Sequence, residues 1–348
     1  MFAAAWSGCP NQASAPVTVP FDVAPQDLVP IGECAVVFHG RDGTVWIAAP
    51  AGLAKFPGPA VASAIWNAVY TTLAVGRTGV WVADTSTPFV PVLTLLRPDG
   101  PLRIQLPPRT WKIGPMRATG TGLLIATDTG DNSEETSSVG SPGAALLSIA
   151  PDGMVTTVWS ARDAGIRALA TDGTTTVMAT GPAGALTGFH LLVDHGHGLK
   201  PAAAIAGEPA LTLDVDGVAV SGDAIVVLPR RLTPHDAADV TVTAISRDRG
   251  ATWTTRETPS ETSPGPPLTF RVGVLAAIAA PWDATSGYVE LTDTAEWKPY
   301  DGIPSPITGP GGALIRQRTL TTCGVWDLIS LPDGDLTLTH TPLAGPGC

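Results

Sequence analysis

The stretch that decides the fold is Ser246-Arg247-Asp248-Arg249-Gly250-Ala251-Thr252-Trp253. The residues before it, 240–245, alternate apolar and polar side chains, which favours a β-strand. The short Asp248 carboxylate can accept hydrogen bonds from backbone N–H groups, and Gly250 can adopt a positive φ, so together they predict a tight turn. Trp253 then opens the return strand and can pack its ring back on the hairpin. The stretch therefore predicts a β-hairpin stabilised by its own side chains.

Five of these residues complete the pattern S-x-D-x-G-x-T-W, the Asp-box: Ser246, Asp248, Gly250, Thr252 and Trp253. In this respect the chain resembles the β-propeller proteins that carry such boxes, namely sialidases, sortilin-type receptors and bacterial surface proteins. The resemblance covers eight residues directly. It implies a propeller in which the box is a structural turn at the periphery of a blade, away from the central channel.

Turn signals recur along the chain and divide it into units. The dipeptide Asp-Gly, a strong hairpin signal between apolar runs, occurs at residues 42, 99, 152, 172, 216, 301 and 333. Val-Trp pairs begin at Val45, Val80 and Val325, and we expect their strands to be inner strands of blades. The stretches 42–56 and 79–107 also resemble, more weakly, streptogramin-lyase and NHL-type propellers.

These landmarks mark about seven units, with a spacing of about 40–50 residues that suits four strands each. The predicted units are 30–60, 64–108, 114–160, 164–207, 210–259, 266–302 and 310–342. The sequence thus predicts an all-β propeller of about seven four-stranded blades, with six or eight as alternatives. We assign 30–345 to this single domain and 1–29 to a signal remnant and tether.

The charge and the apolar content of the chain limit the classes of partner that it can bind. The chain has 348 residues and a net charge of −11, and Arg230-Arg231 is its longest basic run. Nucleic acid is therefore excluded as a partner, because phosphate binding depends on basic side chains. No apolar run reaches the length of about 18 residues that a membrane helix needs. We expect a monomer.

The four cysteines, Cys9, Cys34, Cys323 and Cys348, lie near the two ends of the chain. A propeller brings its first and last blades together, so a Cys34–Cys323 disulfide could close the ring and Cys9–Cys348 could tie the tails. Four free thiols are the alternative, because connectivity cannot be deduced from a sequence.

The N-terminal segment offers a second interpretation of Cys9. Ala3-Ala4-Ala5-Trp6-Ser7-Gly8-Cys9 resembles the end of a bacterial lipoprotein signal, which implies a lipid anchor at Cys9. Trp6 departs from that pattern, and the segment is too short to hold a charged start and an apolar core. Under this interpretation 11–30 is a tether, and the protein is secreted or anchored to the cell envelope.

One acidic loop is a candidate metal site. Asp128, Asp131, Asn132 and Glu134 offer oxygen ligands within seven residues after the apolar run 123–126. Such ligands suit Ca²⁺, although calcium takes about 6–8 oxygens and the loop is not an EF-hand. The alternative is a solvated acidic loop, and the sequence identifies no other cofactor.

A second candidate cluster holds His190, Asp194, His195 and His197. Histidine and aspartate can bind zinc, and histidine can act as a base. However, the run Asp-His-Gly-His-Gly at the end of an apolar strand is typical of a hairpin turn, and we favour that interpretation.

A sialidase-type active site fits the sequence poorly. Tyr288 and Glu290 fall on one face of a predicted strand, as the nucleophile pair would. The early Phe-Arg-Ile-Pro motif is missing, Phe270-Arg271-Val272 lies too late, and only one complete box is present. We therefore expect an extracytoplasmic binding or scaffold protein that holds a protein or glycan at one face of the ring. The alternative is a glycosidase or streptogramin-lyase-like enzyme with its site at the central channel.

Overall fold

The computed structural model describes residues 16–19, 28–31, 34–39, 44–56, 71–84, 90–97, 99–120, 122–129, 143–182, 188–205, 213–231, 240–258, 264–270, 277–281, 289–292, 294–299, 314–321, 324–333 and 335–342. The strands, in chain order, are β1 (Val17–Val19), β2 (Val29–Ile31), β3 (Ala35–His39), β4 (Val45–Ala49), β5 (Gly52–Lys55), β6 (Thr71–Gly76), β7 (Gly79–Asp84), β8 (Val92–Leu96), β9 (Leu102–Ile104), β10 (Thr110–Ala118), β11 (Leu123–Thr129), β12 (Gly143–Ile149), β13 (Val155–Ala161), β14 (Ala164–Thr171), β15 (Thr176–Pro182), β16 (His190–Asp194), β17 (Lys200–Pro201), β18 (Leu213–Ser221), β19 (Ala224–Arg231), β20 (Val240–Ser246), β21 (Thr254–Thr258), β22 (Pro264–Phe270), β23 (Ala277–Pro281), β24 (Val289–Leu291), β25 (Trp297–Pro299), β26 (Leu314–Thr321), β27 (Gly324–Ser330) and β28 (Leu336–Pro342).

These strands form seven four-stranded antiparallel sheets within the described residues. Blades 1 to 6 are β2–β5, β6–β9, β10–β13, β14–β17, β18–β21 and β22–β25, and blade 7 is β26–β28 with β1. The first strands of neighbouring blades contact each other from blade 1 to blade 6, and β2 contacts β26. The predicted propeller is confirmed. No helix of the described part of the chain is long and apolar enough to cross a membrane.

The ring closes through the N-terminal segment. Val17, Thr18 and Val19 pair with Leu338, Thr337 and Leu336, so that β1 is the outermost strand of blade 7. Val19 and Leu338 are both buried in one apolar cluster. Residues 17–19, which we predicted to be part of the tether, therefore form a strand of the propeller. Their alternation of Val and Thr fits a half-buried position at the edge of a sheet.

A disulfide lies at the same seam. Cys34 is disulfide-bonded, and its partner falls outside the described residues. The Trp326 Nε1 atom donates a hydrogen bond of 3.0 Å to the Cys34 carbonyl oxygen, which joins blade 7 to blade 1. Since Cys323 immediately precedes β27, the predicted Cys34–Cys323 pair fits this arrangement, and it stays a prediction.

Each blade packs both of its faces against neighbours, so its middle strands are largely apolar. In β7, residues 79–83 are all buried, whereas every residue of the outermost strand β13 is partly buried or exposed. Separate apolar clusters fill six of the spaces between neighbouring blades among the described side chains. The fold is thus stabilised by repeated interfaces between blades rather than by one central core.

The Val-Trp strands, which we expected to be inner strands, are second or third strands of their four-stranded blades. Trp46 lies on the third strand of its blade, and Trp81 and Trp326 lie on second strands. The space between blades widens with distance from the axis, so a large indole ring fits there. The innermost strands of blades 3 to 7 instead contain β-bulges.

One predicted turn falls in such a bulge. Asp216-Gly217 lies inside β18, where the register shifts between Val215 and Gly217. It is therefore not a hairpin, since Gly also serves where an extra residue bends a strand.

The two faces of the ring differ in their connections. Antiparallel neighbours reverse direction at each turn, so the first-to-second and third-to-fourth connections of blades 1 to 6 lie on one face, as does the first-to-second connection of blade 7. No connection on this face is longer than 247–253, whereas 56–70 and 130–142 on the opposite face are about twice that length. We call the face with the shorter connections the short-turn face.

Candidate functional site

The turn at 246–253 joins β20 to β21 of blade 5 on the short-turn face, and its side chains bind one another. The Ser246 hydroxyl donates to Asp248 Oδ1 at 2.8 Å and accepts the Gly250 N–H at 2.7 Å. The Thr252 backbone N–H and hydroxyl donate to the two Asp248 oxygens at 2.8 and 2.6 Å. All four residues thus hold the turn in one conformation.

These hydrogen bonds also set the charge state of the turn. Donation from the Thr252 hydroxyl, the Thr252 backbone N–H and the Ser246 hydroxyl lowers the pKa of Asp248 to about 2. The carboxylate is therefore ionised at neutral pH, and it serves the turn rather than acting as a proton donor.

The same turn binds the preceding blade. Trp253 Nε1 donates to the Ala203 carbonyl oxygen at 2.9 Å, and the Ala203 N–H donates to the Gly250 carbonyl oxygen at 2.9 Å. Gly250 has φ +84°, and a Cβ atom there would lie 3.1 Å from the Ala202 Cβ. The Gly is required both by the conformation of the turn and by the close approach of blade 4.

The run Asp194-His195-Gly196-His197-Gly198 forms the turn between β16 and β17 of blade 4. Asp194 Oδ1 accepts the backbone N–H groups of Gly196, His197 and Gly198 at 2.7, 2.9 and 2.9 Å. The hairpin interpretation is confirmed. Among the described residues, no group of three His, Cys, Asp or Glu side chains could hold a metal ion.

Further contacts fix the turns of blades 4 and 5 relative to each other. His195 Nδ1 lies 3.2 Å from the Thr175 hydroxyl, which donates to the Gly222 carbonyl oxygen at 3.3 Å. Asp172 Oδ2 accepts the Gly222 N–H at 2.6 Å. Burial would raise the pKa of Asp172, but hydrogen bonds from Thr175, Thr174 and Gly222 outweigh it and lower the pKa. These hydrogen bonds connect the short-turn-face turns of blade 4 to those of blade 5.

Between the two turns lies a cleft of about 340 Å³, which we call the blade 4/5 cleft. Its apolar lining comes from blade 4: Val193, Pro201, Ala202 and Ala203. Its polar lining comes from both turns and includes His195, His197, Lys200, Asp248 and Arg249. The two motifs that the sequence singled out separately therefore border one cavity, which no local pattern indicated because the turns are about 50 residues apart.

The acidic loop is described only at its base. Asp128 ends the buried part of β11, and its Oδ2 lies 3.9 Å from Lys112 Nζ. Burial raises the pKa of Asp128, and the charge of Lys112 partly offsets this effect. Asp131, Asn132 and Glu134 lie outside the described residues, so the calcium site stays a prediction.

The two residues that would form a sialidase nucleophile pair cannot be placed, since Tyr288 and the side chain of Glu290 lie outside the described residues. The innermost strands do carry cations near the axis. Lys112 and Arg117 lie on β10 of blade 3, and Arg167 lies on β14 of blade 4.

Comparison with known proteins supports the fold alone. No protein-family model and no curated protein matches the sequence. Among solved structures, YCF48 bound to D1 peptide matches with a TM-score of 0.55 and 11% identity, over 95% of this chain and 97% of that chain. Apo AztD from Citrobacter koseri matches with a TM-score of 0.51 and 8% identity, over 91% of this chain and 86% of that chain.

A third structure is the β-propeller domain of the Trilobed protease from Pyrococcus furiosus. It matches with a TM-score of 0.52 and 9% identity, over 96% of each chain. That propeller has an open velcro topology, whereas β1 completes blade 7 in the present chain. These similarities, like the strand pairing, establish a β-propeller.

Proposed function

We propose that this protein is an extracytoplasmic binding or scaffold propeller that holds part of its partner in the blade 4/5 cleft. The observation that carries the proposal is the cleft itself, which lies between two turns whose side chains and backbones bind each other. Its volume of about 340 Å³ falls within the range of ligand sites. A rigid cleft binds without a large ordering cost, because its walls are already fixed.

The chemistry of the lining favours binding over catalysis. Asp248 is the one carboxylate that borders the cleft, and both of its oxygens accept hydrogen bonds within the turn. Acid–base catalysis needs a group that can exchange a proton near neutral pH, whereas the pKa of Asp248 is lowered to about 2. The one carboxylate of the cleft lining therefore supports recognition rather than proton transfer.

Two features support the extracytoplasmic part of the proposal. Cys34 is disulfide-bonded, and stable disulfides are typical of oxidising compartments. The segment before Cys9 resembles a lipoprotein signal. Cell fractionation of the protein expressed from its native reading frame tests this point, and recovery in the cytosol with a reduced Cys34 would contradict it.

Filling the cleft tests the binding proposal. Ala251 is exposed and borders the cleft, so Ala251→Trp should block it without disturbing the hydrogen bonds of the turn. Thr156→Trp on the exposed strand β13 is the matched control. Wild type and both variants would be screened on peptide and glycan arrays. We expect Ala251→Trp to lose the ligands that the wild type binds and Thr156→Trp to keep them. Because the proposal is binding without catalysis, the bound ligands should be recovered chemically unchanged.

The alternative is a channel enzyme of glycosidase or streptogramin-lyase type, which Arg117 and Arg167 on the innermost strands favour. Fluorogenic sialosides and a streptogramin substrate would be incubated with the wild type and with Arg167→Gln. Turnover that Arg167→Gln abolishes and Ala251→Trp leaves intact would replace the binding proposal with this alternative.

A further inference from the structure

The carboxylates at the blade 4/5 cleft and the Gly250 carbonyl oxygen are already engaged. Asp248 Oδ1 accepts from Ser246 and Thr252, and Oδ2 accepts from the Thr252 hydroxyl. The Gly250 carbonyl oxygen accepts the Ala203 N–H. Asp223, beyond the cleft lining, is held by Arg249 Nε at 2.5 Å. A hydrogen-bond donor on a ligand would therefore find these oxygen atoms already hydrogen-bonded within the protein.

Donors at the same cleft are free. Neither Lys200 Nζ nor the His197 ring makes a hydrogen bond or ion pair with any residue that the structure describes. Arg249 binds Asp223 through Nε, and within the described part of the chain its two terminal guanidinium nitrogens have no partner. Lys200 and His197 lie on the wall that blade 4 forms, and Arg249 lies on the wall that blade 5 forms. Free donors in one cleft, two of them on the cationic side chains of Lys200 and Arg249, favour an anionic, acceptor-rich ligand group.

The lining also indicates the class of molecule. Val193, Pro201, Ala202 and Ala203 give the cleft an apolar wall that suits aliphatic side chains and the chain of a peptide. Among the described residues, no Trp, Tyr or Phe lines the cleft, so this part of the chain offers no flat aromatic platform on which a sugar ring could stack. A carboxylate-bearing peptide satisfies both the donors and the apolar wall.

We infer that the blade 4/5 cleft binds an acidic peptide segment of a partner protein, with Lys200, Arg249 and His197 holding a glutamate or aspartate side chain. This inference rests on the proposed function and adds the chemical class of its ligand. The protein carries 31 acidic and 20 basic residues, so a patch of free cationic donors departs from its average surface. Because the overall charge repels an acidic peptide, binding should depend on these few local groups.

The test uses a fluorescein-labelled dodecapeptide that repeats Glu-Ala-Ser, and the same peptide with Gln in place of every Glu. Fluorescence anisotropy on the whole protein would measure both peptides. We expect the Gln peptide to bind about tenfold more weakly, because charge-assisted hydrogen bonds are lost. Lys200→Gln should weaken the Glu peptide about threefold to tenfold. Lys298→Gln, on the outermost strand of blade 6, is the matched control and should have no effect.

The outcomes separate the two proposals. Equal binding of both peptides, or equal effects of Lys200→Gln and Lys298→Gln, would overturn the acidic-peptide inference. An acidic glycan that binds in an Ala251→Trp-sensitive way, with no peptide binding, would overturn it while leaving the proposed function intact. If Ala251→Trp affects no ligand at all, both proposals fail. Circular dichroism of each variant confirms that it is folded.

Discussion

At the scale of single residues, short carboxylates organise the short-turn face. Asp248 and Asp194 each accept several hydrogen bonds within their own turns, and Asp172 also reaches the next blade. Asp152 accepts only the Met154 N–H, at 3.0 Å. The same residue type therefore contributes differently according to how many donors its turn brings together.

Replacing Asp248 should destabilise the protein more than replacing Asp152. Asp248→Ala leaves the Ser246 hydroxyl, the Thr252 N–H and the Thr252 hydroxyl without their acceptor, so we expect the melting temperature to fall by about 2–5 °C. Asp152→Ala removes one bond and should change it by less than half of that amount. Differential scanning calorimetry at pH 7 measures both. Equal effects would contradict the role assigned to Asp248.

The pH dependence of the same residue has a definite sign. The folded-state pKa of Asp248 is lowered to about 2, below the ordinary value of 3.8. Its stabilisation is therefore complete above about pH 4 and is lost as the pH falls from 4 to 2. In Asp248→Ala the melting temperature should depend less on pH in this window, and an unchanged slope would argue against this linkage.

His340 should act in a separate pH window. Its ring is buried, neither ring nitrogen has a hydrogen-bond partner, and it packs on Trp326 with ring centroids 5.1 Å apart. Gly324 provides the space, since a Cβ there would clash with the ring. Burial lowers the pKa of His340, so the folded state prefers the neutral ring and stability decreases as the pH falls below the ordinary value of 6.5.

The variant His340→Leu removes this titration. We expect thermal melts between pH 7 and pH 5 to show a smaller loss of stability than in the wild type. His190→Leu, at an exposed position of β16, is the control and should keep the wild-type slope. A steeper slope in His340→Leu would show that the ring is not the group responsible.

At the scale of elements, tryptophans at the outermost strands connect neighbouring blades. Trp253 binds Ala203 of blade 4, and Trp297 Nε1 of blade 6 donates to the Thr243 hydroxyl of blade 5 at 2.6 Å. The turn before Trp297 has Thr292 in the position that Asp248 occupies, and the Thr292 hydroxyl accepts the Glu296 N–H at 3.2 Å. Blade 6 therefore has a comparable turn without the Asp-box sequence, because the Thr292 hydroxyl replaces the carboxylate as the hydrogen-bond acceptor.

These indole hydrogen bonds differ in burial, and their removal should differ in cost. Trp297 and Thr243 are buried, whereas the Trp253 bond is exposed. We expect Trp297→Phe to lower the free energy of unfolding by about 1–3 kcal/mol, and Trp253→Phe to lower it by less. Urea denaturation measures both values, and a larger loss for Trp253→Phe would contradict the ranking.

The calcium prediction belongs to the connection between β11 and β12. If Asp128, Asp131, Asn132 and Glu134 bind Ca²⁺, millimolar calcium should raise the melting temperature of metal-stripped protein, because the ion binds the folded state preferentially. Asp131→Ala should abolish most of this rise, and Asp152→Ala should not. Calorimetry without any calcium response would leave a solvated acidic loop.

At the scale of the whole molecule, closure of the ring joins the two ends of the chain. The pairing of β1 with β28, the hydrogen bond from Trp326 to Cys34 and the disulfide at Cys34 all lie at one seam. A closed ring leaves each blade with two neighbours, so the seam should decide whether the propeller unfolds as one unit.

Reduction of the disulfide should therefore weaken the whole ring. We predict that non-reducing peptide mapping recovers Cys34 linked to Cys323, and that reduction lowers the free energy of unfolding by about 2–5 kcal/mol. Cys34→Ser should lose most of this response to reductant. Recovery of Cys34 linked to Cys9 or Cys348 would disprove the predicted pairing.

The sequence by itself determined the features that depend on neighbours along the chain. Hairpins at Asp99, Asp152 and Asp172, the turn at 246–253 and the bounds of seven blades follow from local alternation and turn chemistry, which a few adjacent residues specify. The turn at Asp194 was likewise predictable, because its carboxylate binds the backbone N–H groups of Gly196, His197 and Gly198.

Tertiary structure alone decided the features that depend on residues distant in the chain. The blade 4/5 cleft brings Lys200 and Arg249 together, and β1 finds β28 at the opposite end of the sequence. The position of the Val-Trp strands within their blades also follows from the space between blades. In each case the deciding quantity is a distance in the closed ring, and a linear pattern carries no such distance.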